Sequence, residues 1–398
     1  MRAAPRADTT SLALSATVAV PQLGLTALVP ALPAITRDLG GGAGAAQGTI
    51  TAYLLGFALA MPLSGLLAER FGPRRVMVWG LALFGAASLL CAAAPTIDTL
   101  AALRFPQGLG GCSATLLTRL IVVRDLPERR HVPLFSLLAS VTALTPCAAP
   151  LFGGWLTQYG GWRAALVMVA LLGAGAALLF VRTVPDSQQA YQVAELSVRE
   201  ALADYRRALR EPSFRLCVTA ISVAWMAYCA FLAGSAPVLE GAALGLSPGA
   251  YGALVALVAF GYVAGSLTAR RLIERAGTAA LLRSASLVVL SGGVLLLAGA
   301  ALAPTSIWAV AGPAAVVLAG VGLTVPAAQL GALRGRGGNA SGLFFFLQML
   351  AGAFAGWATG LRPPGSPFAL AVLVAVPCCA LPLLVRSPRR PVLPGSPS

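Results

Sequence analysis

Residues 284–333 read SASLVVLSGGVLLLAGAALAPTSIWAVAGPAAVVLAGVGLTVPAAQLGAL, with no Asp, Glu, Lys or Arg among them. A single helix of that length would overshoot a bilayer, because one crossing takes about 20 apolar residues at about 1.5 Å each. The stretch therefore predicts two crossings with a turn at Ala303-Pro304-Thr305-Ser306. Outward from it, further charge-free stretches fill most of the chain: 9–36, 39–68, 76–97, 105–118, 132–162, 164–181, 216–239, 241–269, 337–361 and 363–385. All but 105–118 suit one crossing each, and that one belongs to an apolar run from Thr99 to Ile121 interrupted by Arg104. The total is twelve spans, the fourth holding one buried cation. The expected fold class is an all-α integral membrane protein with twelve transmembrane helices in two six-helix halves.

Composition agrees: 58% of residues are hydrophobic and 10% charged, with a mean hydropathy of +0.83, beyond the range of soluble globules. A net charge of +15 would suit nucleic acid, but its placement points elsewhere. With alternating spans, the loops after the even-numbered ones carry Arg70, Arg74, Arg75, Arg124, Arg129, Arg130, Arg270, Arg271, Arg275, Arg334, Arg336, Arg386, Arg389 and Arg390, together with a cluster between Arg182 and Arg215. Only Arg37, Arg104, Arg163 and Arg362 fall on or near the other side. This bias predicts both termini in the cytoplasm and a bacterial cytoplasmic (inner) membrane location. The expected partners are the lipid bilayer, a small-molecule substrate and protons, with no nucleic acid, no nucleotide and a monomeric state.

All 28 basic residues are Arg. Without Lys there is no Walker A loop, no Schiff-base cofactor and no Ser-Lys dyad, so ATP-driven transport by this chain is excluded and no cofactor is expected. The seven cysteines lie in apolar spans without zinc-ligand spacing and read as small core residues. The single histidine, His131, lacks a second ligand, so no metal site is expected. Met1 to Thr10, with Arg2 and Arg6, opens like a signal peptide, but the following run is too long for one and reads as the first span.

Between Val184 and Pro212 lies the one long polar segment. Ser197 and Glu200 form a capping-box pattern there, and Leu202, Tyr205 and Leu209 share a face opposite Arg199, Arg206, Arg207 and Arg210, which predicts a helix along the membrane surface. The expected domains are 1–183, a six-helix half; 184–212, a cytoplasmic linker with an amphipathic helix; and 213–398, a second six-helix half. A weak repeat supports this division: Gly65-Leu-Leu-Ala-Glu69-Arg70 has a counterpart in Gly265-Ser-Leu-Thr-Ala269-Arg270.

The loop after span 2 reads Gly65-Leu-Leu-Ala-Glu69-Arg70-Phe-Gly72-Pro-Arg74-Arg75. It resembles the G-x-L-a-D-r-x-G-r-r signature of the major facilitator superfamily, with Glu69 in place of Asp. Leu103-Arg104-Phe-Pro-Gln107-Gly108 is similar to the family's R-x-x-Q-G motif, and Ala149-Pro150-Leu-Phe-Gly153-Gly154 to its antiporter-associated G-P-x-x-G-G motif, with Ala149 at the first Gly position. Arg119-Leu-Ile-Val-Val-Arg124-Asp125-Leu, Gly161-Trp162-Arg163 and Ser235-Ala-Pro237-Val-Leu-Glu240 resemble the Bcr/CflA-type drug/proton antiporters. Those relatives commonly carry D-x-Y-L-P-x-L-P in the first helix; here Thr26 stands at the acid and Leu28 at the Tyr.

The resemblance implies export of small amphiphilic compounds, a drug or secondary metabolite, by alternating access in exchange for protons. The missing acid keeps open a facilitator-fold importer or uniporter of a small nutrient. An intramembrane enzyme has no H-E-x-x-H, aspartate-rich or Ser-His site to stand on. The buried-charge or coupling candidates are Arg104, Glu240 and Asp38. Candidates for the substrate cavity are Gln22, Thr26, Tyr53, Phe57, Gln107, Trp225, Tyr228, Gln329, Phe345 and Gln348. A buried Arg104 without a mid-span acid would suit neutral or anionic amphiphiles. For a gate, the motif glycines would let spans 2 and 11 approach closely. The start of span 11 at Gly337-Gly338-Asn339 would face Glu69, and Arg74 or Arg75 would pair with Asp125. Glu69→Ala is accordingly expected to collapse transport while membrane abundance on an immunoblot is preserved; unchanged transport would remove Glu69 from the gate.

Overall fold

The computed structural model describes residues 7–184, 198–241, 244–334, 338–362 and 365–385, and the regular elements in them are helical. The first span is a broken one: α1 (Ala7–Thr26), a 3-10 turn (Val29–Ala31) and α2 (Leu32–Leu39). Pro30 and Pro33 explain the break, since neither can donate to an α-helical ladder. Then come α3 (Ala43–Phe71), α4 (Pro73–Ala92), α5 (Ile97–Asp125) and α6 (His131–Thr183). α6 contains two spans, because Gly161 interrupts it with φ 78° and ψ 166°. A short α7 (Val198–Arg210) precedes α8 (Pro212–Leu239), α9 (Pro248–Ala276), α10 (Thr278–Leu302), α11 (Ile307–Leu333), α12 (Gly338–Gly360) and α13 (Pro367–Val385). Ten runs are long and apolar enough to cross a membrane. The break in α6 adds one crossing and α5, less apolar but equally long, another, so the described residues hold the expected twelve.

Inside a bilayer every backbone group must be satisfied within the chain, which leaves helices and confines other geometry to the ends. The ends follow ordinary chemistry. Thr96 Oγ1 and Ser247 Oγ accept from the N–H of Thr99 and Ala250, each at 3.2 Å, and α4, α8 and α9 place Pro in their first turn, where no N–H is needed. Gly72 (φ 84°) and Gly277 (φ 77°) turn α3 into α4 and α9 into α10 through a conformation that side chains resist. The repeat near residues 65 and 265 thus ends each time in the same kind of turn.

Helices α1–α6 pack on one another, as do α8–α13, and the two groups meet along two seams, α3 on α12 and α6 on α9. Since lipid is as apolar as a side chain, association rests on close packing of small residues. Within the first group, a methyl added at Gly56 would lie 2.1 Å from the Phe105 carbonyl oxygen; within the second, one at Gly322 would lie 2.2 Å from that of Tyr262. The α6–α9 seam is reciprocal: a methyl at Gly154 would meet the Pro248 oxygen at 2.2 Å, and one at Gly252 the Pro150 oxygen at 2.3 Å. Along α3–α12 the approach loosens in one direction. A methyl would lie 2.7 Å from the Gly360 oxygen at Gly44, 3.0 Å from Thr51 Oγ1 at Gly356, and 3.7 Å from the Met61 oxygen at Gly342. Along this seam the packing thus relaxes from closer than a methyl allows to ordinary van der Waals contact toward the end bearing the arginine-rich loops.

α7 packs on α8 and α12 through buried Ala201 and Ala208 and leaves Leu202 and Leu209 exposed, on the face expected to lie along the membrane surface. Alanine lets the helix axis come closer than leucine would, so the small-residue face wins the protein contact; Ser197 of the capping box lies outside the described residues. Among the cysteines, six are buried as expected, but Cys379 is exposed. Gly154→Ala and Gly252→Ala are expected to cost about 1–3 kcal/mol by overpacking and to lower the Tm of detergent-solubilised protein by several degrees. Gly175→Ala, which meets nothing within 4 Å, should leave Tm unchanged or raise it. A uniform response of all three would contradict the seam packing.

Candidate functional site

Arg104 is wholly buried. It donates from Nη1 to the Gly24 oxygen at 2.7 Å and to Gln107 Oε1 at 2.5 Å, and from Nε to the Thr49 oxygen at 3.4 Å. The Tyr53 ring lies 4.4 Å from its Cζ. Tyr53 donates to the Pro21 oxygen at 2.7 Å, and Gln107 Nε2 to Ser88 Oγ at 2.7 Å. These bonds stitch α1, α3, α4 and α5 of one group together. Arg104, Gln107 and Tyr53, candidates for the buried charge and the cavity, are thus tied together in the core of that group, with Phe57 buried beside Tyr53. Carbonyl oxygens, Gln107 and an aromatic face hold the cation through Nε and Nη1, while its Nη2 is buried without a hydrogen-bond partner among the described residues. Thr26, at the position of the expected acid, is also buried and donates to the Gln22 oxygen of its own helix at 2.8 Å. Gln22 and Gln329 are half-buried.

At the arginine-rich end, Gly65 does not mediate a close approach: a methyl there would meet nothing within 4 Å. Glu69, Arg70 and Arg75 are exposed, and no hydrogen bond or ion pair joins Glu69 to a described residue. Arg74 donates to the Val181 and Val184 oxygens at 2.9 and 3.0 Å, tying α4 to the end of α6. Asp125 is half-buried at the end of α5. Gly337 lies outside the described residues; Asn339 donates to Asp204 of α7 at 2.9 Å. Of the antiporter-type motif, Ala149, Pro150, Gly153 and Gly154 are all buried. A methyl at Gly153 would lie 2.0 Å from the Ala27 oxygen, so the motif presses α6 onto the break in the first span as well as onto α9.

Between the groups, α5 presents a second cation, inside the span, that the sequence reading missed. Arg119 is half-buried, and its Cζ lies 5.5 Å from the ring centroid of Phe345 on α12. Tyr262 of α9 is near enough to interact with it electrostatically. On the same wall Trp225 and Tyr228 of α8 stack with centroids 4.8 Å apart. Phe345, Gln348 and Gly352 share one face of α12, and Trp225 covers Gly352. Trp225 Nε1 and Gln348 Oε1 are buried without a hydrogen-bond partner among the described residues. The arrangement sets a guanidinium from one group against an aromatic wall with a free donor and a free acceptor on the other. The clue in the sequence was Arg119 itself, well inside the 29-residue α5.

At the opposite end, Asp38 accepts from Trp162 Nε1 at 2.8 Å and forms an ion pair with Arg163. It thereby fastens α2 to the Gly161 break rather than standing free. Glu240 follows the last residue of α8. A cavity of about 560 Å³ lies there between α2, α3, α8 and α9, with Thr36, Arg37, Gln47 and Glu240 as its polar lining and Leu32, Pro33, Pro237, Leu246 and Pro248 among its apolar one. Burial pushes the Glu240 carboxyl up to about 8, against the opposing pull of the Arg37 guanidinium. Among the described residues, no group of His, Cys, Asp and Glu forms a metal-binding cluster.

The profile of the Major Facilitator Superfamily matches residues 14–356. Multidrug resistance protein D of Escherichia coli (strain K12) is 29% identical over 352 residues, 88% of this chain and 84% of that protein. Multidrug resistance protein MdtL of Escherichia fergusonii is 29% identical over 238 residues, 59% of each chain. Among solved structures, the D-xylose-proton symporter superposes with a TM-score of 0.72 at 15% identity, covering 93% of this chain and 96% of that one. The nucleoside transporter NupG gives 0.72 at 12% identity, covering 94% and 98%. At such identities the structural likeness is one of fold.

Arg104→Lys keeps the charge but loses the planar fork that reaches Gly24, Thr49 and Gln107 together. The expected result is a loss of about 3 kcal/mol of stability, read as a lower Tm in a thermal-shift assay. An unchanged Tm would show that the network does not hold α1, α3 and α5 together.

Proposed function

The chain belongs to the major facilitator superfamily, and from that premise we propose that it is a secondary active exporter of small amphiphilic compounds, exchanging them for protons by alternating access. The observation that carries this reading is the cation and aromatic wall facing each other across the seam between the two helix groups. A site shared by both groups is reshaped when one rocks against the other, which is what alternating access requires. Likeness to Multidrug resistance protein D through both groups supports the direction, export.

In this reading the two groups are the moving halves, joined by the linker that carries α7, and the arginine-rich end faces the cytoplasm of a bacterial inner membrane. Substrates rest an apolar body on Trp225, Tyr228 and Phe345, with Arg119 and Gln348 reading polar groups. The preference for neutral or anionic compounds moves from Arg104 to Arg119. The present arrangement, with the α3–α12 seam loosest at the arginine-rich end, is the inward-facing one. Closure brings Glu69 to the start of α12. Proton exchange falls to Glu240, the one coupling candidate that lines a cavity between the halves without a fixed counter-ion. A uniporter without coupling is the second reading, favoured by Thr26, which bonds its own helix where relatives carry an acid.

Everted vesicles with an acidic lumen separate the two. Export coupled to protons is expected to raise lumenal pH when amphiphilic antibiotics are added, and Arg119→Ala should abolish that response. Substrate flux that ignores the pH gradient would instead establish the uniporter.

A further inference from the structure

One face of α7 is spent on the protein. Ala201 and Ala208 are buried against α8 and α12, and Asp204 accepts from Asn339, the second residue of α12, at 2.9 Å. The exposed surface of α7 carries two stripes. Arg199, Arg206 and Arg210, spaced by seven and four residues, form one; Leu202 and Leu209, spaced by seven, form the other beside it. An apolar stripe next to a cationic one suits the boundary between hydrocarbon and headgroups. No hydrogen bond or ion pair joins these three arginines to a described residue. Glu200 and Asp204 lie on other faces of the helix, and Asp204 is paired with Arg207. Only Glu211 separates α7 from α8. A groove of about 460 Å³ runs between α8 and α12, with Val218, Thr219, Ser222, Leu347, Leu350 and Phe354 in its wall. Val218, six residues after Pro212, lies about 9 Å from the start of α8. A headgroup layer is roughly 5–8 Å deep, so the cations of α7 stand at headgroup level and the groove at chain level. Arg215, Thr219 and Ser222, spaced by four and three, share one face of α8; Arg215 is exposed, and the two hydroxyl residues line the groove.

We propose that α7 and this groove together bind one anionic phospholipid from the leaflet at the arginine-rich end. Arg206, Arg210 and Arg215 hold its phosphate, Thr219 and Ser222 donate to its ester carbonyls, and an acyl chain lies along Leu347, Leu350 and Phe354. Charge complementarity selects this occupant. A row of guanidinium groups above an apolar groove fits a molecule that carries an anion and a chain together. A soluble anion would leave the groove empty, an apolar compound would leave the cations unmet, and a second copy of this chain would set like charges against each other. Through Asp204 and Asn339 a lipid that holds α7 also steadies the start of α12. The consequence for the gate rests on the proposed alternating access; the binding itself does not.

Native mass spectrometry of the full chain, titrated in detergent with dioleoylphosphatidylglycerol or dioleoylphosphatidylcholine, tests this. The two lipids share their chains and differ in headgroup charge. The first phosphatidylglycerol is expected to bind at least about fivefold more tightly, the factor that one cation near an anionic leaflet supplies. Glycerol 1-phosphate, an anion without chains, should not displace it. Arg206→Gln, Arg210→Gln and Arg215→Gln together should bring phosphatidylglycerol down to the affinity of phosphatidylcholine. Arg270→Gln, Arg271→Gln and Arg275→Gln together, equally exposed at the same end, should change nothing. Ala351→Trp, which fills the groove and leaves the arginines, should weaken both lipids. The comparison of the two lipids needs no variant and stands even if one fails to fold. Equal binding of the two lipids, displacement by glycerol 1-phosphate, equal losses in both triple variants, or unchanged binding by the Ala351→Trp protein would overturn the site. Because no transport is measured, these results are independent of whether the vesicle assay supports export.

Discussion

Backbone pressed against backbone at α6–α9 is the contact on which the rest of this structure depends. Gly154 and Gly252 leave no room for even a methyl group, so two six-helix groups share a joint as tight as the packing within either group. In a bilayer, where apolar burial gives helices no reason to prefer one another over lipid, such contact supplies the association. The second joint, α3–α12, is graded: tight at Gly44–Gly360 and loose at Gly342. One fixed seam and one graded seam are what a rocking motion needs.

Against this frame the buried charges take three different parts. Arg104 is held by carbonyl oxygens, Gln107 and Tyr53 within one group and acts as cement. Arg119 looks across the interface at aromatic rings of the other group. Glu240, at the far end, keeps an unsatisfied oxygen beside a cavity that both groups line. Charges inside a membrane protein are costly, and those held by one rigid group are structural, whereas those shared between groups are available for binding and coupling.

The spans were legible in the sequence because a charge-free run of crossing length is a local property; even the turn at 303–306 and the break beside Arg163 could be read. The identities of the motifs were legible too. Which way a side chain points was not. In helices apolar all round, periodicity marks no inner face, so Tyr53 and Gln107 looked like cavity residues although Arg104 draws them into the core. Arg119 stood in the sequence as part of a motif, with nothing to show that it faces the other group, and no periodicity singled out Ala201 and Ala208 as the contact face of α7. Gly65 carries the motif, yet a methyl there would meet nothing within 4 Å.

The central claim is that the two groups rock about these joints. Double electron–electron resonance tests it, using a Cys379→Ser background because that is the exposed native cysteine among the described residues. One spin-label pair would sit at Arg70→Cys and Arg271→Cys on the arginine-rich end, another at Pro95→Cys and Thr305→Cys on the opposite end. The account predicts that substrate or a pH change shortens one distance while lengthening the other. Distances that stay fixed at both ends, or change in the same direction, would contradict it.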